Sequence, residues 1–175
     1  QHAGMTRLAA NEEVVLENIK GDAMEIVAEI GPTSAAVVEM NVLRSPDAQE
    51  VTSIRFYRNR GYRHREHGRR SPYSGKMNSV ITIDSSHSSI LADATCRAPE
   101  TAQVFVDKNE PLKLRVFIDR SVVEVFVNGR QCVALRVYPG REDSLGVSLQ
   151  SRGRDATLKS LDAWQMRNIY EGPHG

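Results

Sequence analysis

No run of about eighteen or more apolar residues occurs, so no segment can cross a bilayer as a helix, and no membrane partner is expected. Cysteine is scarce. Cys96 and Cys132 are the only two, too few for a disulfide scaffold, and no Cys-x-x-Cys or histidine-rich spacing suggests a metal or any other cofactor. One bond between them, or two free thiols in a packed domain, both remain open. No Asn-x-Ser/Thr sequon is present, so N-glycosylation is not expected. Charge of one sign is lacking too: Lys and Arg number 23 against 22 Asp and Glu, leaving no overall field to attract nucleic acid or an anionic surface. The chain opens on Gln1-His2 without a leader pattern. It reads as a fragment or processed product, and its compartment, secreted or cytoplasmic, is open.

A chain of 175 residues suits one domain with a real core. It is organised around Leu112 to Tyr138. Leu112, Leu114, Val116 and Ile118 share one parity and Lys113 and Arg115 the other, the period of a strand with one buried face. Asp119-Arg120-Ser121 interrupts with turn chemistry, Asp119 accepting backbone amides, as from Ser121. A β-branched and aromatic run, Val122 to Val127, closes at the hairpin dipeptide Asn128-Gly129. A two-residue turn there pairs Val125 with Cys132. A three-residue loop ending at Gly129 pairs odd with odd, gathering Val123, Val125, Val133, Leu135 and Val137 on one face. Since a one-residue slip reverses every side chain, burial selects the odd loop, with Gly129 left-handed in a bulge and Cys132 on the other face.

Further strands are expected over 14–19, 24–30, 38–42, 51–57, 77–83 and 103–106, at intervals of about ten residues with turns between, which argues for an all-β sandwich. Leu158, Leu161 and Trp164 keep helical spacing, yet Thr157 beside them favours a strand. Residues 1–11 read as a linker or disordered segment, 12–170 as the sandwich domain and 171–175 as a tail. The composition shifts at Arg55 to Arg70, where arginines interleave with Tyr57, Tyr62, His64 and His67, and a Ser/Pro/Gly segment runs on to Gly75. Three readings fit a loop of this kind: a solvated insertion, a contact with another domain or subunit, and a polyanion or nucleic-acid site. The near-zero net charge weighs against the last.

LRVFIDRSVVEVFVNG, with RVYPG (136–140), LGVSLQSRG (145–153), LKSLDAWQM (158–166) and ENIKGDAMEIVAEI (17–30), resembles the C-terminal β-sandwich module of glycoside hydrolase family 32, the invertases, levanases and fructan hydrolases. The resemblance implies a two-sheet antiparallel β-sandwich, a concanavalin-like jelly roll of about two six-stranded sheets. In the family this module follows a five-bladed β-propeller that carries the catalytic carboxylates, the expected partner here.

The family's catalytic motifs are a Trp-Met-Asn-Asp-Pro-Asn-like segment, a Glu-Cys dipeptide and Arg-Asp-Pro. None occurs in this chain: Thr95 precedes Cys96, Gln131 precedes Cys132, and Ala156 follows Arg154-Asp155. No catalytic residue can be assigned, and the chain alone is expected to be inactive. Asp119 and Glu124 are the carboxylates within the matched run; Asp119 belongs to turn chemistry, while Glu124 shares a face with Phe126 and should meet solvent, an arginine or the propeller. The rival function is a stand-alone lectin-like module binding oligosaccharide through exposed rings and planar polar groups. Candidates for that, or for an interface, are Trp164, Tyr138, Tyr73, Tyr62, Arg58 and Arg63. For Trp164 a core or interdomain plug is the better reading, because large aromatics are mostly buried. Asp119, Ser121, Asn128 and Gly129 are expected to serve as structural turn residues.

Overall fold

A computed structural model describes residues 1–32, 37–61, 77–95 and 97–167. Among them there is no helix; thirteen strands form two sheets. In chain order these are β1 (His2–Ala3), β2 (Thr6–Leu8), β3 (Glu13–Lys20), β4 (Ala23–Ile30), β5 (Val37–Arg44), β6 (Val51–Tyr57) and β7 (Ser79–His87). They continue as β8 (Glu100–Val104), β9 (Leu112–Asp119), β10 (Val122–Val127), β11 (Gln131–Arg136), β12 (Gly146–Arg152) and β13 (Ala156–Gln165). One sheet runs β1-β13-β4-β9-β10-β11, with β2 also on β13, and the other β3-β12-β5-β6-β7-β8. All ladders between named strands are antiparallel, and an isolated parallel bridge joins Ala10 to Ser151.

The core is where the alternation puts it. Met24, Ile26, Ala28 and Ile30 of β4, Leu112 to Ile118 of β9 and Val123 to Val127 of β10 turn one parity inward. They meet Val38, Met40, Ile54, Phe56, Ile81, Ile83, Val147 and Leu149 from the second sheet. The two inner faces of a sandwich interdigitate in this way.

Residues 1–11 differ from the linker expectation. His2 and Ala3 pair with Asp162 and Leu161, Thr6 to Leu8 pair with Leu158 to Ala156, and Leu8 is fully buried. Strands of two and three residues are too short to show a period, so their pairing comes from the exposed edge of β13 rather than from any local pattern. Because β1 and β2 lie on the same edge, the seven-stranded sheet is only six strands across.

Two bulges explain patterns that alternation alone does not. In β5 the register jumps between Gly146↔Arg44 and Ser148↔Asn41, with Leu43 at φ 47, so Val42 and Leu43, adjacent in sequence, are both buried. In β13 it shifts between Leu158 and Ser160, which turns both Leu158 and Leu161 inward. The helical spacing of Leu158 and Leu161 is a strand with a bulge.

The β10–β11 hairpin pairs Val125 with Val133 and Val123 with Leu135. The odd parity is as expected, and the loop is Asn128-Gly129-Arg130, one residue further on than a loop ending at Gly129. Asn128 (φ 50) and Gly129 (φ 63) are both left-handed, and Arg130 N–H donates to the Val127 carbonyl at 3.0 Å. The Asn-Gly turn is therefore made, while Arg130 stands outside the ladder and sets the parity. Cys132 lies opposite Phe126 as an exposed free thiol, and Cys96 is outside the described residues.

Candidate functional site

The outer face of the second sheet is a charge network. Glu39, between inward-facing Val38 and Met40, is only 3 % exposed. Arg55 Nε reaches its Oε2 at 2.8 Å, and Arg152 holds both oxygens at 3.1 Å. Burial alone would raise the Glu39 pKa, but the two guanidinium groups outweigh it and leave the carboxyl below its usual range. Arg55 also donates to Asp84 at 2.7 Å. Beside them Glu13 takes Arg44 Nε at 2.9 Å and Ser148 Oγ at 2.5 Å.

At one end of the sandwich Glu50 is fully buried and ties three loops together. Its Oε1 accepts the amides of Ile90 (2.8 Å) and Gly140 (2.7 Å), while Oε2 accepts Arg141 N–H (3.1 Å) and Ser144 Oγ (2.5 Å). Burial pushes its pKa up, and these four donors more than reverse that. Arg141 in turn bridges Asp47 and Asp143, and the Ser45 hydroxyl, with Arg141, holds the Asp47 pKa down at about 2.

Two concavities mark the surface, the smaller of them beside the Glu50 loops. The larger, about 590 Å³, sits on the outer face of the first sheet, between Val27, Arg115, Phe117, Phe126 and Asn128. The Phe117 and Phe126 rings meet edge to face at 5.9 Å, and the Arg115 guanidinium lies 5.0 Å above Phe117. Its charges are engaged: Arg115 with Glu25, Lys113 with Glu29, Glu110 with Arg130 and Asn128. The smaller, about 290 Å³, is bounded by Asp22, Arg120, Ser121, Tyr138, Glu142 and Leu145.

The three predicted site residues that are described, Trp164, Tyr138 and Arg58, stand in different surroundings. Trp164 is 51 % exposed on the outer face, opposite Glu25, so it is not a core plug within this domain. Tyr138 is 46 % exposed at the smaller concavity. Arg58 is buried, with Nη1 on the Asp107 carbonyl at 2.9 Å and Nη2 on that of Glu110 at 3.1 Å, and burial lowers its pKa. It clamps the turn before β9 through these two bonds, while its buried Nε has no hydrogen-bond partner among the described residues. Tyr62, Arg63 and Tyr73 lie outside the described residues, as does most of the Arg55–Gly75 loop; Arg55 itself belongs to β6.

In the β9–β10 turn the left-handed residue is Arg120 (φ 52), whose amide donates to the Asp22 carbonyl at 2.6 Å. Ser121 accepts Val137 N–H through its carbonyl, and Asp119 is exposed, its carboxylate accepting no bond among the described residues. Asn128 does more than tolerate positive φ. Its Oδ1 accepts Lys113 N–H at 2.9 Å, and Nδ2 donates to Glu110 Oε1 (2.8 Å) and the Pro111 carbonyl (3.0 Å). Glu50 and Glu39 were missed in the sequence, because nothing local separates a loop or strand glutamate in water from one that loops or arginines will cover.

The family model described as "Glycosyl hydrolases family 32 C terminal" matches residues 2–165. A β-fructofuranosidase of Zea mays is 30 % identical over 138 residues, covering 76 % of this chain and 19 % of that protein. An insoluble β-fructofuranosidase isoenzyme of Arabidopsis thaliana is 34 % identical over 134 residues, covering 73 % and 21 %. The chain thus spans about a fifth of the length of these curated relatives. Among solved structures, fructan 1-exohydrolase IIa from Cichorium intybus shares the fold with TM-score 0.77 at 16 % identity, covering 96 % of this chain and 35 % of that one. A β-fructofuranosidase of Aspergillus kawachii does so with TM-score 0.70 at 18 % identity, covering 93 % and 27 %. The chain belongs to glycosyl hydrolase family 32, as its C-terminal β-sandwich domain.

Proposed function

We propose that this domain is the non-catalytic module of a β-fructosidase acting on sucrose, fructans or related β-fructosides, and that it stabilises a catalytic five-bladed propeller in the same polypeptide. The observation that carries the reading is the state of its carboxyl groups. A retaining glycosidase needs two carboxyls about 5–5.5 Å apart, one of them with a raised pKa so that it can protonate the leaving group. Here Glu13, Glu39 and Glu50 are held ionised by arginines, hydroxyls and amides, and each is shifted downward. Such groups are acceptors built into the scaffold, with no proton to give at neutral pH. The lack of the family's catalytic motifs in the sequence agrees with this.

The purified chain is expected to release no reducing sugar from sucrose, inulin or levan. Removing the module from the polypeptide that carries it should lower the thermal stability of the catalytic part. Sugar release by the chain alone, abolished by one Asp or Glu substitution within it, would refute the reading.

A further inference from the structure

Charges elsewhere in this domain are mostly consumed within it: Arg44 on Glu13, Arg55 on Glu39 and Asp84, Arg115 on Glu25, Arg141 on Asp47 and Asp143. Even the larger groove keeps its polar side chains for itself. Exposed charges without a side-chain partner among the described residues also occur singly elsewhere, as at Glu17 and Lys20 of β3, but at one end of the sandwich they gather around an apolar surface. Arg120 at the β9–β10 turn and Arg136 at the end of β11, opposite Val122, make no side-chain hydrogen bond or ion pair among the described residues. Asp22 and Glu142, which line the smaller concavity with Arg120, are likewise without a partner.

These charges rim an apolar surface. Tyr138 is 46 % exposed, and Ile90 and Leu91 are 54 % and 48 % exposed. Leu91 adjoins Gly140 so closely that a Cβ there would lie 2.7 Å from Leu91 Cγ, which places Leu91 two residues along from Tyr138. Apolar centres with tyrosine and arginine, inside a polar rim, are the composition of protein interfaces.

The surface is also held rigid in advance. Backbone bonds lace its loops, from Arg120 to Asp22, Val137 to Ser121 and Gly21 to Leu145, and Glu50 fixes Ile90, Gly140, Arg141 and Ser144 from beneath. Arg120 holds a left-handed backbone that arginine disfavours, the kind of local strain found where a side chain must be presented.

We propose that this end of the domain, with Arg120, Arg136 and Tyr138 beside the exposed Leu91 and Ile90, is the surface on which the catalytic domain of the same polypeptide seats; this rests on the function proposed above. A sugar would account for the small concavity alone. It would leave Arg136, Ile90 and Leu91, which lie beyond that concavity's lining, unexplained. A large partner accounts for the whole area, and about four-fifths of the length of the matching relatives lies outside the region this chain matches.

The test uses the two-domain polypeptide and the present chain side by side. Arg120→Glu with Arg136→Glu, and separately Tyr138→Ala, are compared with Glu17→Lys with Lys20→Glu on the distant strand β3, whose side chains are also exposed and unpaired. In the chain alone the paired variants should melt like the parent. In the two-domain polypeptide the Arg120/Arg136 variant should lose several degrees, and amides of 119–122 and 136–140 should exchange about tenfold faster, with no change for the β3 control. If deleting the whole module destabilises the catalytic domain while the Arg120/Arg136 variant does not, the surface is wrongly assigned and the module's role stands. If deletion itself changes nothing, the proposed function falls and this surface with it. If 1-kestose added to the chain alone protects these amides, the surface is a saccharide site and the docking proposal is overturned.

Discussion

Replacing Glu50 tests whether one buried carboxylate organises an entire end of the sandwich. Four donors from two neighbouring loops converge on it: Ile90 and Gly140 amides on Oε1, Arg141 amide and Ser144 hydroxyl on Oε2. Hydrogen bonds to a charged group contribute about 1.5–3 kcal/mol each, but they are not additive, and the carboxylate's own desolvation offsets part of the sum. Removing one member of a buried charged set typically costs about 3–5 kcal/mol, the expectation for Glu50→Ala. In a domain of this size that is a loss of roughly 6–20 °C in Tm. Glu50→Gln separates geometry from charge. Its oxygen can keep Ile90 and Gly140, but its NH₂ must face Arg141 N–H, leaving that donor without an acceptor, so about 2 kcal/mol is expected. Urea denaturation followed by circular dichroism, with unchanged slope, gives both values. If Glu50→Gln equals the parent within about 0.5 kcal/mol, the carboxylate is not what holds the loops and the reasoning fails.

Acid should expose the same logic across the domain: Glu13, Glu39 and Glu50 all have folded-state pKa values below 4.5, so their contribution is complete above that pH and is lost as pH falls through the depressed values. An acid titration of stability should be flat from neutral pH down to about 5 and then fall, and Glu50→Gln should flatten the fall; a parallel curve would exclude Glu50 as a contributor. Asn128→Gly should cost about 1–3 kcal/mol by thermal melt despite the glycine-compatible φ, because three side-chain hydrogen bonds disappear, two of them on the turn before β9; a neutral result would mean that φ alone matters there. Gly146→Ala should cost about 1–3 kcal/mol, since its Cβ would sit 2.9 Å from the Arg44 carbonyl oxygen opposite the β5 bulge, and backbone cannot swing away as a side chain could.

The legible parts of this chain are those where one face of a strand meets the core and the other meets water. From Leu112 to Leu135 the alternation, the Asn-Gly turn and the demand for a single apolar face were enough to yield the odd pairing that places Val125 against Val133. Where a second layer covers the outer face, the pattern stops being informative. Glu39 and Asn41 alternate with valine and methionine as solvent-facing residues would, yet both are buried, because Arg55, Arg152 and Ser148 reach across from neighbouring strands. Bulges defeat the period directly: Leu158 and Leu161 imitate a helix only because one extra residue turns the strand over between them. The candidate site was the least legible of all. Arg120 and Tyr138 are separated by a whole hairpin, and Glu50 by some forty residues from Ile90 and ninety from Gly140. Glu50 holds its loops mostly through backbone amides, groups every residue carries and no sequence pattern marks, with the Ser144 hydroxyl as its one side-chain donor. Local chemistry could name the turn at Asp119-Arg120-Ser121; only the folded loops show that its arginine lines a concavity with no side-chain partner among the described residues.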